Sequence, residues 1–322
     1  MPNYEMGTLI KKLRKQKGIS QEDLAYPIID RTTLSKIESG KSMPHLKTLE
    51  YLFERLGFNH NELINNFLAP EDMETQVLVH ELSILLASVV SINPPEEKQI
   101  FCDKVTGLIG KLEGNHEYMA HPLNRQFILD AKARYAFSMN ENEKAAILAK
   151  EALEIVIPNF CEKSTGSYHI NKSCHNMINL LALIHSSAGC HNEAADILYG
   201  LKENNYNTYN EIQARAKFAT PTIMNLAMAL VNAGRAQEAY DICEEGIQLS
   251  IESRTHIFLA GIAWQQVRAL LQLGKKEEGT QLARKVYWAF DLQRADFNKD
   301  FIRDFVLKET GVDVAAYYAP SE

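Results

Sequence analysis

Four segments of this 322-residue chain repeat one pattern, and this repetition limits the fold more strongly than any other feature. Each segment contains an apolar helical stretch, a turn residue, and a second helical stretch with a small residue five positions after the turn. Small residues at this spacing let two paired helices approach closely. The turns fall at Asn140, Gly189, Gly234 and Gly274, and the small residues are Ala145, Ala194, Ala239 and Gly279. The pattern predicts stacked helical hairpins and an all-α fold.

These segments resemble degenerate tetratricopeptide repeats. Their turns are 49, 45 and 40 residues apart, longer than the roughly 34 residues of the standard repeat. Residues 77–113 are expected to form another helix pair around the Pro94-Pro95 turn, and residues 300–318 a terminal helix. We therefore expect a TPR-like α-solenoid over residues 77–322, with residues 69–76 as a linker. Unrelated helical hairpins are the alternative.

Helix caps and helix-ending glycines divide residues 1–68 into five predicted short helices. Gly18, Gly40 and Gly57 are expected to stop three of them, while Ser20 and Asp30 are expected to cap the second and third. The fifth helix is predicted after Asn59, with Leu63, Ile64 and Phe67 on its apolar face. Two short helices joined by a turn, within a five-helix unit of this size, are the layout of a helix-turn-helix DNA-binding domain.

The stretch SQEDLAYPIIDRTTLSKIESGKSMPHLKTLEYLFERLG carries a family resemblance. It resembles the Cro/C1-type helix-turn-helix family in its S-Q-x-x-L-A opening, its S-x-I-E-x-G end of the recognition helix, and its P-x-L-x-T-L tail. The turn is one residue shorter than in phage repressors, which is similar to the Rgg/PlcR/PrgX branch. Pro27 departs from the pattern and is expected to end the second helix early.

The third helix is expected to enter the major groove of double-stranded operator DNA. Its polar positions lie away from Leu34 and Ile37, and the resemblance assigns base reading to Arg31, Thr32 and Lys36. The full set of predicted DNA-binding residues is Gln21, Arg31, Thr32, Ser35, Lys36, Lys11 and Lys41. Arg14 and Glu38 are similar to a structural ion pair of the family. A polar face used for protein contacts is the alternative.

Charge is distributed unevenly along the chain. The net charge is −7, yet residues 1–68 have ten basic and eight acidic side chains, so the acidic surplus lies in the repeats. So small a basic surplus predicts weak, salt-dependent DNA binding by one copy, and hence a homodimer that reads two half-sites.

The first helix of each repeat pair is expected to line the concave face of the solenoid. Amides there can hold a peptide backbone, arginines a carboxylate, and Met, Phe and Trp can form side-chain pockets. The predicted peptide-binding residues are Phe127, Asp130, Arg134, Phe137, Asn176, Asn179, Leu183, Met224, Asn225, Met228, Asn232, Trp264, Gln265 and Arg268. For the apolar members, an ordinary core position is the alternative.

Other functional classes have little support. No P-loop, GxSxG, HExxH or dinucleotide fingerprint occurs, so we expect neither an enzyme nor a cofactor. Seven Cys and His residues fall within residues 161–191, but their spacings match no zinc finger, and a metal-dependent enzyme is a minor alternative. The most apolar stretch is too short to span a bilayer, and the N-terminus lacks a signal-peptide pattern. We expect a cytoplasmic protein with no membrane contact.

A Cro-type domain followed by degenerate tetratricopeptide repeats resembles the RNPP group of quorum-sensing transcription regulators. The resemblance implies a homodimer whose repeats bind a short imported signalling peptide and thereby change DNA binding. A regulator of the same architecture without a peptide ligand, whose repeats serve dimerisation or protein docking, is the alternative.

Overall fold

The computed structural model describes residues 3–57, 73–88, 95–293 and 295–316, which form sixteen α-helices, one 3₁₀-helix and no strand. The N-terminal domain contains α1 (Asn3–Gln16), α2 (Gln21–Ala25), α3 (Arg31–Glu38) and α4 (Leu46–Arg55). The all-α fold class is thereby confirmed. The predicted fifth helix of this domain lies outside the described residues.

Local sequence explains the short helices of the N-terminal domain. The Ser20 side chain accepts the Asp23 backbone N–H at 3.0 Å, and the Asp30 side chain accepts that of Thr33 at 2.7 Å. These caps satisfy backbone donors at the helix starts. The apolar face of α3, Leu34 and Ile37, is buried as predicted. The domain is thus a set of capped helices around one small core.

The second part begins with α5 (Met73–Ser88) and α6 (Pro95–Gly114), which pack together as predicted for residues 77–113. Residues 73–76 of the predicted linker are helical and belong to α5. The Pro94 turn lies outside the described residues.

Four further helix pairs follow the predicted repeats. They are α8 (Pro122–Ser138) with α9 (Asn142–Glu154), α10 (Lys172–Ser187) with α11 (His191–Thr208), α12 (Ile212–Asn232) with α13 (Ala236–Ser253), and α14 (Leu259–Gln272) with α15 (Lys276–Leu292). Short α7 (His116–Ala120) precedes them, a 3₁₀-helix (Glu162–Ser167) lies between α9 and α10, and α16 (Asp296–Thr310) ends the array.

The structure confirms both signals that predicted the repeats. All four turn residues have positive φ angles, from 61° at Asn140 to 83° at Gly189, and close the hairpins in the left-handed conformation. Ala145, Ala194 and Ala239 are fully buried between their paired helices. A Cβ atom added to Gly279 would lie 2.9 Å from the Leu271 side chain. Small residues are therefore required where the helices cross.

The N-terminal domain and the repeats share one hydrophobic core. A single cluster of buried residues continues from α1–α4 into helices α8–α14. A second cluster joins α5, α6 and α8, and a third joins α14, α15 and α16. In the part of the chain that is described, no helix is long and apolar enough to cross a membrane.

Candidate DNA-binding surface and ligand groove

A buried ion pair fixes the recognition helix. Arg14 of α1 donates two hydrogen bonds to the Glu38 carboxylate of α3, at 2.6 and 3.0 Å, and a third to the Ile19 carbonyl oxygen at 2.9 Å. The Gln21 side chain of α2 donates to the same carboxylate at 2.8 Å. One carboxylate therefore ties α1, α2 and α3 together, in keeping with the scaffold role predicted for Arg14 and Glu38.

The turn between α2 and α3 is held from behind by α4. The Tyr51 hydroxyl donates to the Tyr26 carbonyl oxygen at 2.8 Å, and Arg55 donates to the same oxygen. Helix α2 ends at Ala25, just before Pro27, so it ends early as the sequence predicted. Helix α4 thereby holds the turn that leads into α3.

The predicted DNA-binding residues are exposed, with one exception. On α3, Arg31, Thr32, Ser35 and Lys36 are exposed, opposite the buried Leu34 and Ile37. Lys11 and Lys41 are also exposed, whereas Gln21 is half-buried and hydrogen-bonded to Glu38. The described repeats do not bury the polar face of α3. This face is available to a partner in the conformation seen here.

In the repeats, the first helices form one layer. Helix α8 packs against α10, α10 against α12, and α12 against α14. This layer contains all of the predicted peptide-binding residues. Asp130, Asn179, Trp264 and Gln265 are buried, Asn232 is exposed, and Phe127, Arg134, Phe137, Asn176, Leu183, Met224, Asn225, Met228 and Arg268 are partly exposed.

Amide side chains connect neighbouring helices of the layer. The Asn225 side chain of α12 donates to the Asn179 side-chain oxygen of α10 at 3.2 Å. Farther along, Arg268 of α14 donates to Asn232 of α12 at 2.7 Å and to Gln265 at 2.9 Å. These pairs already use part of the hydrogen-bonding capacity that the sequence assigned to a ligand. A ligand bound there must share or replace them.

Some predicted groove residues have another role. Trp264 is 8% exposed, and its ring lies edge-on to Phe301 and Phe305 of α16, with centroids 6.0 and 5.4 Å apart. This packing against the terminal helix favours the core position that was the alternative to a peptide pocket. Phe127 packs against the α5–α6 cluster, with the Lys47 ammonium of α4 5.9 Å from its ring centroid.

A buried polar network between two helices of this layer and α11 was missed by the sequence reasoning. The His175 ring lies 3.0 Å from the Thr222 hydroxyl and 3.3 Å from the Asn205 amide. Asn179 is 3.4 Å from Thr222 and donates to the His175 carbonyl oxygen at 3.1 Å. Burial lowers the pKa of His175 to about 4, so the ring is neutral near pH 7. The network joins α10, α11 and α12.

The N-terminal domain docks onto the ends of these helices. Lys17 donates to the Thr208 carbonyl oxygen at 2.5 Å, and the Lys172 backbone N–H at the start of α10 donates to Glu54 at 2.9 Å. The Thr48 hydroxyl lies 3.1 Å from the His121 ring, which precedes α8. The domain therefore contacts two helices that carry predicted groove residues, α8 and α10, and the end of α11.

The Cys and His residues of positions 161–191 are spread over different environments. His185 contacts Glu162 at 3.0 Å, His191 contacts Ser186 at 3.0 Å, and Cys161 and Cys190 are exposed. In the described ranges, no group of three metal-ligating side chains comes together. The arrangement offers no support for the metal-dependent enzyme.

Comparisons with known proteins agree with both parts of the chain. A family model described as a helix-turn-helix domain matches residues 7–67. The control protein C.MunI of Mycoplasma sp is 44% identical over 62 residues, which are 19% of this chain and 84% of that protein. The predicted helix-turn-helix domain is therefore confirmed.

Two solved structures share the fold of almost the whole chain. PlcR of Bacillus thuringiensis, in complex with the peptide PapR7 and DNA, has a TM-score of 0.57 at 17% identity, covering 93% of this chain and 99% of that chain. The apo form of the competence regulator ComR from Streptococcus vestibularis has a TM-score of 0.52 at 14% identity, covering 96% of this chain and 99% of that chain. The repeats thus have the same fold as the second part of these regulators.

Proposed function

Since this chain belongs to the helix-turn-helix family of DNA-binding transcription regulators, we propose that a short signalling peptide bound along its repeats controls how it binds operator DNA. The recognition surface is the exposed face of α3, where Arg31 forks onto a guanine and Lys36 reads a neighbouring base edge. Thr32 and Ser35 complete the base-facing side, and Lys11 and Lys41 contact phosphates.

The observation that carries the peptide proposal is the Asn179–Asn225 pair. An amide pair that bridges two neighbouring first helices presents both a donor and an acceptor, as an extended peptide backbone requires. The partly exposed Met224 and Met228 lie on the same helix as Asn225 and supply adaptable apolar contacts. The shared fold with PlcR, solved with a peptide and DNA, supports this role.

The contacts between groove and DNA-binding domain supply the coupling. The Asn179 side chain contacts the Thr222 hydroxyl, which also contacts the Asn205 side chain. The neighbouring Asn204 side chain accepts a hydrogen bond from the Thr208 hydroxyl at 3.3 Å. The Thr208 carbonyl oxygen in turn accepts Lys17 of α1. A ligand that replaces the Asn179–Asn225 bond shifts this arrangement only if it binds one docking state more tightly than the other.

Dimerisation is proposed through the C-terminal end of the repeats. There Leu292 is 85% exposed, and Trp288 and Phe301 are about half exposed. A solenoid end usually requires a polar cap, so this apolar end is better suited to contact with a second copy. Two copies would present two recognition helices to half-sites about 34 Å apart or at multiples of that distance.

Calorimetric titration tests the peptide proposal. Full-length protein is titrated with short peptides from reading frames beside its gene, in parallel with a variant carrying Asn179→Ala and Asn225→Ala. We expect saturable binding, micromolar or tighter, that the variant loses. The Asn192→Ala variant is a matched control, because this asparagine is exposed at the start of α11, outside the layer of first helices.

The alternative function gives the opposite result. If no candidate peptide binds to protein that still binds operator DNA, the repeats serve dimerisation or protein docking without a peptide ligand. Retained binding and regulation in the double-asparagine variant would place the ligand elsewhere and contradict the proposed groove.

A further inference from the structure

Asp130 has an unsatisfied side chain within the layer formed by α8, α10, α12 and α14. Its side chain belongs to the first helix of the first tetratricopeptide-like pair and is 2% exposed. Its Oδ1 atom is buried and has no hydrogen-bond partner. Buried polar atoms are nearly always satisfied in native proteins, so an orphaned carboxylate oxygen indicates a missing interaction.

The neighbours of Asp130 compensate its charge only in part. The polar side chains of Asn176 and Ser173 on α10, and the positive charges of Arg134 and Lys172, are close enough to favour its ionised form. Desolvation outweighs these effects, and the pKa of Asp130 is raised above its usual range. Arg134 Nη2 donates to the Leu86 carbonyl oxygen of α5 at 2.5 Å. The ionised carboxylate is therefore costly in the unliganded protein.

We propose that Asp130 determines peptide specificity by binding a positively charged group of the ligand, either its free amino terminus or a Lys or Arg side chain. This inference rests on the proposed peptide-binding function. Oδ1 accepts the hydrogen bond that no protein group makes, and the added charge offsets the desolvation of the carboxylate. Asn176 and Arg134 are near the carboxylate and partly exposed, so the cation of the ligand approaches Oδ1 from the side of these two residues.

A structural tie between α8 and α10 is the competing role for Asp130, and stability without ligand separates the two. A tie stabilises the protein, whereas a carboxylate with a raised pKa destabilises the folded state as pH rises above the unfolded pKa of about 4. We expect Asp130→Asn to raise the melting temperature at pH 7, with a gain that shrinks as pH falls toward 4. Asp241→Asn, at an exposed position of α13, is the control and leaves the melting temperature unchanged.

Affinity selection tests the ligand chemistry directly. Full-length wild-type, Asp130→Asn and Asn179→Ala proteins select from random heptapeptide pools with free or acetylated amino termini, and the bound peptides are sequenced. We expect wild-type protein to enrich Lys or Arg at one position, or to lose at least ten-fold in capture on acetylation. Asp130→Asn should still capture peptides without that preference, and Asn179→Ala should capture far fewer.

The outcomes separate failure of this inference from failure of the proposed function. If wild-type and Asp130→Asn proteins enrich the same peptides from both pools, Asp130 does not read a cation, although the chain is a peptide receptor. A lowered melting temperature for Asp130→Asn at pH 7 would also assign it a structural role. If wild-type protein captures no peptide above background, both the receptor function and the inference are wrong.

Discussion

The DNA-binding domain and the repeats distribute their polar side chains in opposite ways. On α3, Arg31 and Lys36 are exposed, and one buried carboxylate, Glu38, positions the helix that carries them. In the repeats, Asn179 and His175 are buried and bonded to other helices. The first surface is a set of separate side chains on a rigid support, and the second is a shared network. Substitutions should therefore act locally in one region and cooperatively in the other.

The largest effect is expected at the support of the recognition helix. Glu38→Ala leaves Arg14 buried without its partner and should destabilise the N-terminal domain by about 3 to 5 kcal/mol, measured by denaturant unfolding. The control is Arg303→Ala, which breaks an exposed ion pair with Asp313 in the last part of the chain and should change stability little. Equal effects of the two variants would contradict the contrast between the regions.

A smaller effect is expected for the recognition side chain itself. Arg31→Ala should weaken operator binding by about 1 to 3 kcal/mol and relax base preference at one position of each half-site, with unchanged stability. Lys41→Ala should weaken binding to all sequences alike and lower the salt dependence by about one ion. Fluorescence anisotropy on operator and scrambled DNA at several salt concentrations measures both. Loss of stability in Arg31→Ala would show that the side chains of this face also take part in the packing of the domain.

The smallest effect on stability is expected for a substitution in the buried polar network of the repeats. Thr222→Val removes the hydroxyl that contacts His175, Asn179 and Asn205, but these groups keep other bonds, among them His175 to the Phe218 carbonyl oxygen at 3.1 Å. The free energy of unfolding should fall by only about 1 kcal/mol. The effects of Thr222→Val and Asn179→Ala should be non-additive, because the residues are in contact. Strict additivity would contradict a cooperative network.

The same contrast explains what the sequence could predict. The caps Ser20 and Asp30 and the buried Leu34 and Ile37 follow from local spacing, so the exposed face of α3 follows as well. The repeat turns at Gly189 and Gly234 were equally local and were predicted correctly.

The lining of the groove depends on tertiary structure. A first helix in a repeat is buried on more than one side, and helical periodicity does not tell which apolar side chain faces which neighbour. Trp264 was therefore assigned to the groove although it faces α16. The contact of His175 with Thr222 joins residues 47 positions apart, and that with Asn205 joins residues 30 positions apart, so no local pattern predicts either.

We propose that docking between the two regions transmits peptide binding to DNA binding. Gly57 has a φ of 73°, and a Cβ atom there would lie 2.2 Å from the Thr208 carbonyl oxygen of the repeats. Gly18 has a φ of 67°, and a Cβ atom added to it would meet no atom within 4 Å. Gly57→Ala therefore disturbs the docking contact, and Gly18→Ala is its matched control with similar backbone strain.

The most direct measurement is operator affinity with and without a saturating peptide identified by titration, for wild type, Gly18→Ala and Gly57→Ala. We expect peptide to change the operator affinity of wild type and of Gly18→Ala by the same factor. In Gly57→Ala that change should be lost, while peptide binding and basal DNA binding remain. A full peptide response in Gly57→Ala would contradict transmission through this contact.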